Sequence, residues 1–461
     1  MLVTMRSKLE RSVARRDTGI GYRRLFPSSY SACVRICCWA LLLAPVSLGA
    51  ASGRAQATAS EMVTVDEAVA VALQHNLDLL AMRYDVDLAA ARIVTARLLP
   101  NPYVTGGADY LDILGSGFLF NGATGAGPSE GNARLDIPIE LGGKRRKRIA
   151  YAKADRSVSE LLLLDAVRGL RFAVQSACVQ VLLQKALFEI AKKDLSIFEG
   201  IVAINESRVR DGDLAESELM RTRLAARERA NIARLYELSV REARLGLQLL
   251  LGRGPTEPVV DVIGPVPRDT IEDASYPILR SEALEQRPDL RALEAAELRA
   301  DSDVELQRAL GWIDMNVGIM YHRQYGYADG ANSMGFFVGI PLPFFDRNQG
   351  EIQRARKTHE QTVAQTQAFR ASLDKEVAEA IAEYSAAGEL LAAIEGGMTT
   401  EATAVRDVSE YAYRRGEVSF VEFLDAQRAF NATMRSYQEA MARYALARYR
   451  IDWVTGRSLE P

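Results

Sequence analysis

The sequence predicts a mainly α-helical protein with a small β part, in which one unit of paired strands and a long helical hairpin occurs twice. Three observations carry this reading. Residues 145–251 contain no proline, and none occurs between Pro343 and Pro461, so two segments are free to run as very long helices. Each is entered from a run of alternating apolar residues and a polar or glycine-rich turn, where the hydrophobic period changes from 2 to helical spacing. Gly212 to Gly252 spans the same interval as Gly416 to Gly456, as an internal duplication requires.

Taken in order, the chain begins with an expected export signal, residues 1–57. Arg and Lys crowd its first two dozen positions, an apolar run covers 36–51, and Ala55-Gln56-Ala57 follows as a cleavage site. Cys33, Cys37 and Cys38 would leave with it, so Cys178 alone would remain and no internal disulfide could form. Residues 58–100 read as the N-terminal helices of the first copy, carrying Leu73, Leu77, Leu80, Leu88 and Leu98 and stopped by Pro100-Asn101-Pro102. Residues 101–141 read as a strand pair. Its first strand covers 103–114, a Gly-rich loop 115–132, and its second strand alternates Ala133, Leu135, Ile137, Ile139 and Leu141 with polar positions.

Residues 142–252 are the first helical hairpin. Leu183, Ile190, Ile197 and Ile204 recur every seven positions, then Leu219, Ala226, Ala233, Val240 and Leu247 beyond the turn at Gly212. A proline-rich linker, 253–277, separates the copies. The second copy then repeats the order: helices over 278–311, a strand pair over 312–345, a hairpin over 346–456 turning at Gly416, and a tail, 457–461. Met334, Phe336, Val338, Ile340, Leu342 and Phe344 give its last strand one apolar face, and Phe423, Phe430, Tyr437, Tyr444 and Ile451 recur every seven. Gly396-Gly397 is expected to interrupt the upstream helix.

Composition narrows the functions. A formal net charge of -3 with no basic domain gives no footprint for nucleic acid. His75, His322 and His359 are scattered, with no metal-ligand spacing, and no phosphate loop opens a helix. We therefore expect neither an enzyme nor a cofactor. Strands of about ten residues with one apolar face suit a tilted bilayer crossing. Four strands cannot close a barrel, so they close by oligomerisation, or else form a soluble sheet on a coiled coil.

The chain resembles the outer-membrane efflux protein family, the channel-tunnels of tripartite export pumps, over nearly its whole mature length. The resemblance rests on Gly142-Gly143-Lys144-Arg145, on IPLPFFDRNQGEIQRA from Ile340, and on YRRGEVSFVEFLDAQRAF from Tyr413, and is nearest to the heavy-metal resistance branch. It implies a homotrimer whose β-hairpins complete a twelve-stranded barrel in outer-membrane lipid, with a helical tunnel in the periplasm. It also implies a periplasmic adaptor and an inner-membrane, proton-coupled pump as partners. The implied cargo is divalent metal cations; alternatives are a duct for drugs or another substrate, and a pore-less periplasmic adaptor.

Residue by residue, Glu422 and Asp425 match acidic residues at the periplasmic constriction of the family. Their i, i+3 spacing puts them on one helix face, which is equally the pattern of an ordinary solvated face. Tyr413 matches a residue that helps hold the entrance closed, and Glu218 an acid that pairs across the gate. The arginine that usually pairs there falls at Val418, so Arg414 and Arg415 are the candidate replacements, or the lock is absent. The hairpin tips, with Asp211, Gly212 and Asp213 in one and Gly416 and Glu417 in the other, match the adaptor-docking part.

Overall fold

The computed structural model describes residues 61–111, 129–271, 274–325 and 331–457. The expected export signal and most of the Gly-rich loop 115–132 fall outside the described residues. β1 (Glu61–Val63) leads into α1 (Val65–His75), where Thr64 and Glu67 form a reciprocal cap. The helical stretch expected over 58–100 divides at Asn76, whose extended backbone begins α2 (Leu77–Arg97) and whose Oδ1 accepts from Leu79 N at 2.9 Å. A short amide that caps the second helix wins over continuation.

β2 (Tyr103–Asp109) and β3 (Glu130–Ile139) follow, then α3 (Lys144–Arg210) and α4 (Glu216–Leu250). The proline-rich segment is more than a linker. It holds β4 (Val260–Val262), which pairs parallel to β1 and is buried among α1, α3 and α4 residues. The second copy contributes α5 (Tyr276–Gln286), α6 (Pro288–Leu310), β5 (Met315–Gln324), β6 (Ala331–Gly339) and α7 (Gln349–Ala393). A π-helical segment, Ile394–Met398, joins α7 to α8 (Thr399–Arg415), and α9 (Phe420–Thr455) returns. Gly397, at φ 147, makes the break in a conformation open to glycine alone.

The duplication is visible in the packing. Gly252 and Gly456, both left-handed, end α4 and α9 against the elbows at His75–Asn76 and Gln286–Arg287. A Cβ on Gly252 would lie 2.2 Å from the His75 carbonyl oxygen. At the second elbow the buried Arg287 binds both Asp289 carboxylate oxygens and Glu376, while Arg168 of α3 donates to Asp289 at 2.8 Å and to the Trp453 carbonyl at 2.5 Å. This charged node ties α3, α6, α7 and α9 together, and so joins the two copies.

The 67 residues of α3 span roughly 100 Å. It contains one stretch long and apolar enough to cross a membrane, yet Val174, Cys178, Val179 and Val181 are wholly buried between helices. Burial pushes the Cys178 thiol up to about 12, which leaves it an inert packing residue. The deepest seam of α3 differs from the apolar heptad of the sequence. Leu187, Asp194 and Ile201, with Ala191, Phe198 and Asn205, are buried, whereas Leu183, Ile190, Ile197 and Ile204 flank them half-exposed. Two seam positions are polar, which hides the register from a purely apolar reading.

β2, β3, β5 and β6 form one antiparallel sheet in that order. The last strand ends at Gly339, short of the expected Phe344. Pro341 and Pro343 carry no N–H to donate, and beyond the Asn316–Gly339 pair β5 has only Met315 left. Pro138 fits β3 because it lies past the end of β2, where Tyr103 pairs with Asp136.

Candidate functional site

Residues directly opposite one another in the sheet share a face, and the two faces differ in kind. One carries Val104, Leu135, Ile137, Ile319, Phe336 and Val338, all exposed, Phe336 at 79%. The other carries Asp109, Asn132, Arg134, Asp136 and His322. There Arg134 pairs with Asp136 at 2.6 Å, His322 Nε2 lies 2.7 Å from Glu130, and Asn132 donates to Asp109 at 3.0 Å. His322 is thus part of a polar network. Among the described residues nothing pairs with the outer edges of β2 and β6. A sheet with one bare apolar face, one polar face and two open edges is suited to lipid outside and water inside, once its edges are joined.

At the opposite end of the helices the two turns are built alike. Gly212 (φ 84) and Gly416 (φ 79) reverse the chain, and the following amides, Asp213 N and Glu417 N, return to the Arg208 and Ala412 carbonyls. Asp211, Asp213 and Glu417 are exposed beside these glycines.

Between the turns lies an aromatic core of Phe198, Tyr413, Phe420 and Phe423. Tyr413 is 4% exposed and stacks on Phe423 with ring centroids 5.2 Å apart. Asn205 Nδ2 donates to the Tyr413 hydroxyl at 2.7 Å and to Thr222 Oγ1 at 2.9 Å. Arg208 donates to the carbonyls of Arg414, at 2.5 Å, and Tyr413, capping the end of α8. Val418 packs, partly buried, against this core and offers no charge to pair with.

The remaining candidates are placed as follows. Glu218 pairs with Arg221 on its own helix at 3.4 Å; Arg414 pairs with Glu410, and Arg415 with Glu417 at 3.9 Å. Among the described residues no ion pair joins Glu218 to Arg414 or Arg415. Glu422 and Asp425 share an exposed face at the start of α9, but each has a neighbour that the spacing argument overlooked. The Glu422 carboxylate closes a capping box with Ser419, accepting from its N–H at 2.9 Å. Asp425 lies 3.7 Å from Arg428, which adds a cation to the same face.

Sequence reasoning missed Asn205, Arg208, Thr222 and the buried group in which Gln427 donates to Asp194 at 2.9 Å and Arg229 lies over Phe198. Ser419-Phe420-Val421-Glu422 is a readable capping-box signature. Asp194 and Asn205 announce themselves only as polar residues seven-spaced with buried apolar ones. No group of three or more His, Cys, Asp or Glu residues among those described could hold a metal ion.

Comparison with known proteins places this architecture. Residues 68–253 and 279–457 match the family described as outer membrane efflux protein. The cobalt-zinc-cadmium resistance protein CzcC of Cupriavidus metallidurans is 25% identical over 399 residues, 86% of this chain and 90% of CzcC. The cation efflux system protein CusC of Escherichia coli is 26% identical over 303 residues, 64% of this chain and 63% of CusC. Among solved structures, CusC superposes with a TM-score of 0.69 at 20% identity, covering 86% of this chain and 93% of that one. The outer-membrane channel OprN gives 0.70 at 20% identity, over 86% and 91%. The match spans both copies of the duplicated unit, and the chain belongs to the outer membrane efflux protein family.

Proposed function

We propose that three copies of this chain form a passive duct for divalent metal cations, with a twelve-stranded barrel in the outer membrane and a helical tunnel in the periplasm. The observation that carries the reading is the four-stranded sheet with two open edges. Unpaired backbone groups are not tolerated in lipid, and three such sheets joined edge to edge remove all of them. The tips at Asp211–Asp213 and Gly416–Glu417 would dock a periplasmic adaptor, and an inner-membrane pump would supply the energy. The names of CzcC and CusC, a cobalt-zinc-cadmium resistance protein and a cation efflux protein, support metal cations as cargo.

The entrance is read as the cluster around Tyr413, with Asn205 and Arg208 as the catch in place of a charged lock at Val418. Glu422 and Asp425 would line the passage next to it, with Glu218, Arg414 and Arg415 at its rim. Counting Arg428, the Glu422–Asp425–Arg428 face carries a net charge of −1 per chain. Glu422→Gln with Asp425→Asn keeps the capping box, since a glutamine serves it equally, and leaves Arg428 as the sole charge of the three. The double variant is therefore expected to turn a cation-preferring channel towards anions, read as a shifted reversal potential under a salt gradient in planar bilayers. An unchanged reversal potential would remove both carboxylates from the passage.

A further inference from the structure

The chain leaves the sheet at its helical end through two corners, and these carry exposed apolar surface beside arginines with no carboxylate partner among the described residues. The second corner, residues 340–346, presents Leu342, Phe344 and Phe345, the last 93% exposed, beside Trp312 at 66%. The corner is anchored. Asn348 Nδ2 donates to the Gln307 carbonyl at 2.8 Å, and a Cβ on Gly311 would lie 2.7 Å from the Arg347 carbonyl oxygen. Between them opens a cleft of about 510 Å³ whose walls include Trp312, Leu342, Pro343 and Phe345.

The charged residues lining the cleft balance, Lys144 and Arg347 against Asp314 and Asp346, so the cationic excess comes from the neighbouring first corner. Asp314 holds Lys144 at 2.7 Å, and Asp346 is turned to the Asn348 backbone amide at 2.8 Å. Arg347 donates Nε to the Pro343 carbonyl at 3.1 Å and has no carboxylate partner among the described residues. The first corner adds to this. Residues Lys144, Arg145, Arg146 and Lys147 open α3 with no acid in its first turn, an unfavourable order at the positive end of a helix. Lys144 and Lys147 are paired, whereas Arg145 donates to the Arg97 carbonyl, and among the described residues neither Arg145 nor Arg146 has a carboxylate partner. Gly142 packs on Trp312 and so brings the two corners together.

We propose that this cleft binds the headgroup of an anionic phospholipid in the periplasmic leaflet of the outer membrane. Arg347 receives the phosphate, Arg145 and Arg146 add attraction, and Trp312, Leu342 and Phe345 cover the first carbons of the acyl chains. The position fits, because the bare apolar face of the sheet ends here, at the depth where aromatic and basic side chains meet lipid phosphates. A guanidinium suits a phosphate through its paired N–H groups. Leu310, Trp312, Ile313, Leu342 and Phe345 make one part of the lining apolar, which favours a lipid over a free phosphate. The inference rests on the membrane-barrel reading above.

The test reconstitutes the full chain into phosphatidylethanolamine vesicles containing either phosphatidylglycerol or phosphatidylethanolamine brominated high on its acyl chains, at equal mole fraction. Quenching of tryptophan fluorescence is compared with that of Trp312→Phe. Trp312 should be quenched preferentially by the brominated phosphatidylglycerol. Arg347→Gln should reduce that preference roughly five-fold, and Arg347→Lys less. Equal quenching by both lipids would overturn the site while leaving the barrel intact. No quenching by either would place the corner outside the bilayer and overturn the barrel reading itself. Displacement of the lipid by soluble glycerol phosphate would make this a free-anion site and overturn the lipid assignment.

Discussion

Tyr413→Ala should open the periplasmic end of the duct, seen as single-channel conductance several-fold above that of the parent protein. The size of the effect follows from Tyr413 being the main apolar anchor of the tip. Tyr413 is the buried residue of α8, and Val405, Val408 and Tyr411 on the same helix are all exposed. Truncating a buried aromatic of this kind costs about 3–5 kcal/mol, and the hydrogen bond from Asn205 goes with it. The break at Gly397 then gives α8 a place to pivot. Tyr413→Phe keeps the stacking on Phe423 and loses one hydrogen bond, about 1 kcal/mol, so its conductance should fall between the two. Parental conductance in the alanine variant would show that the aromatic core does not restrain the entrance.

The second large effect concerns stability. Arg287→Met should lower it by about 3 kcal/mol, because the change leaves Glu376 without its cation and Asp289 with Arg168 alone. Arg287 is 2% exposed, holds Asp289 and Glu376, and faces the rings of Phe369 and Trp453. The same node predicts a pH dependence. Burial works to raise the Asp289 pKa, but the hydrogen bond from Arg287 and the charges of Arg168 and Arg287 outweigh it and hold the carboxyl below the ordinary aspartate range. The folded state therefore binds this proton less readily than the unfolded chain. Its stabilising contribution is complete above about pH 4, the ordinary aspartate value, and is lost as pH falls through the lower folded value. Thermal melting should show the parent losing stability on acidification below that point, and Arg287→Met losing less of it.

Much of the architecture was legible because its signals are long. Proline-free runs, a repeated glycine spacing and period-2 alternation each extend over many residues, and local accidents do not erase them. The polar seam of α3 was less legible, because Asp194 and Asn205 are stable in a core only through partners on distant segments: Arg229 and Gln427 for one, Thr222 and Tyr413 for the other. Spacing along one helix cannot reveal those partners. Glu422 teaches the converse. Its i, i+3 relation to Asp425 was visible, and so was the Ser419 cap that occupies its carboxylate, yet only the first was read. The buried strand β4 was hidden by the prolines around it, since its three residues pair with a strand nearly 200 positions earlier.

The proposed duct stands on closure of the sheet by neighbouring copies. Light scattering of the detergent-extracted protein, corrected for bound detergent, measures this most directly. A particle containing three chains is the expected result. A stable monomer that keeps its full strand content, with β2 and β6 still open at their edges, would contradict it.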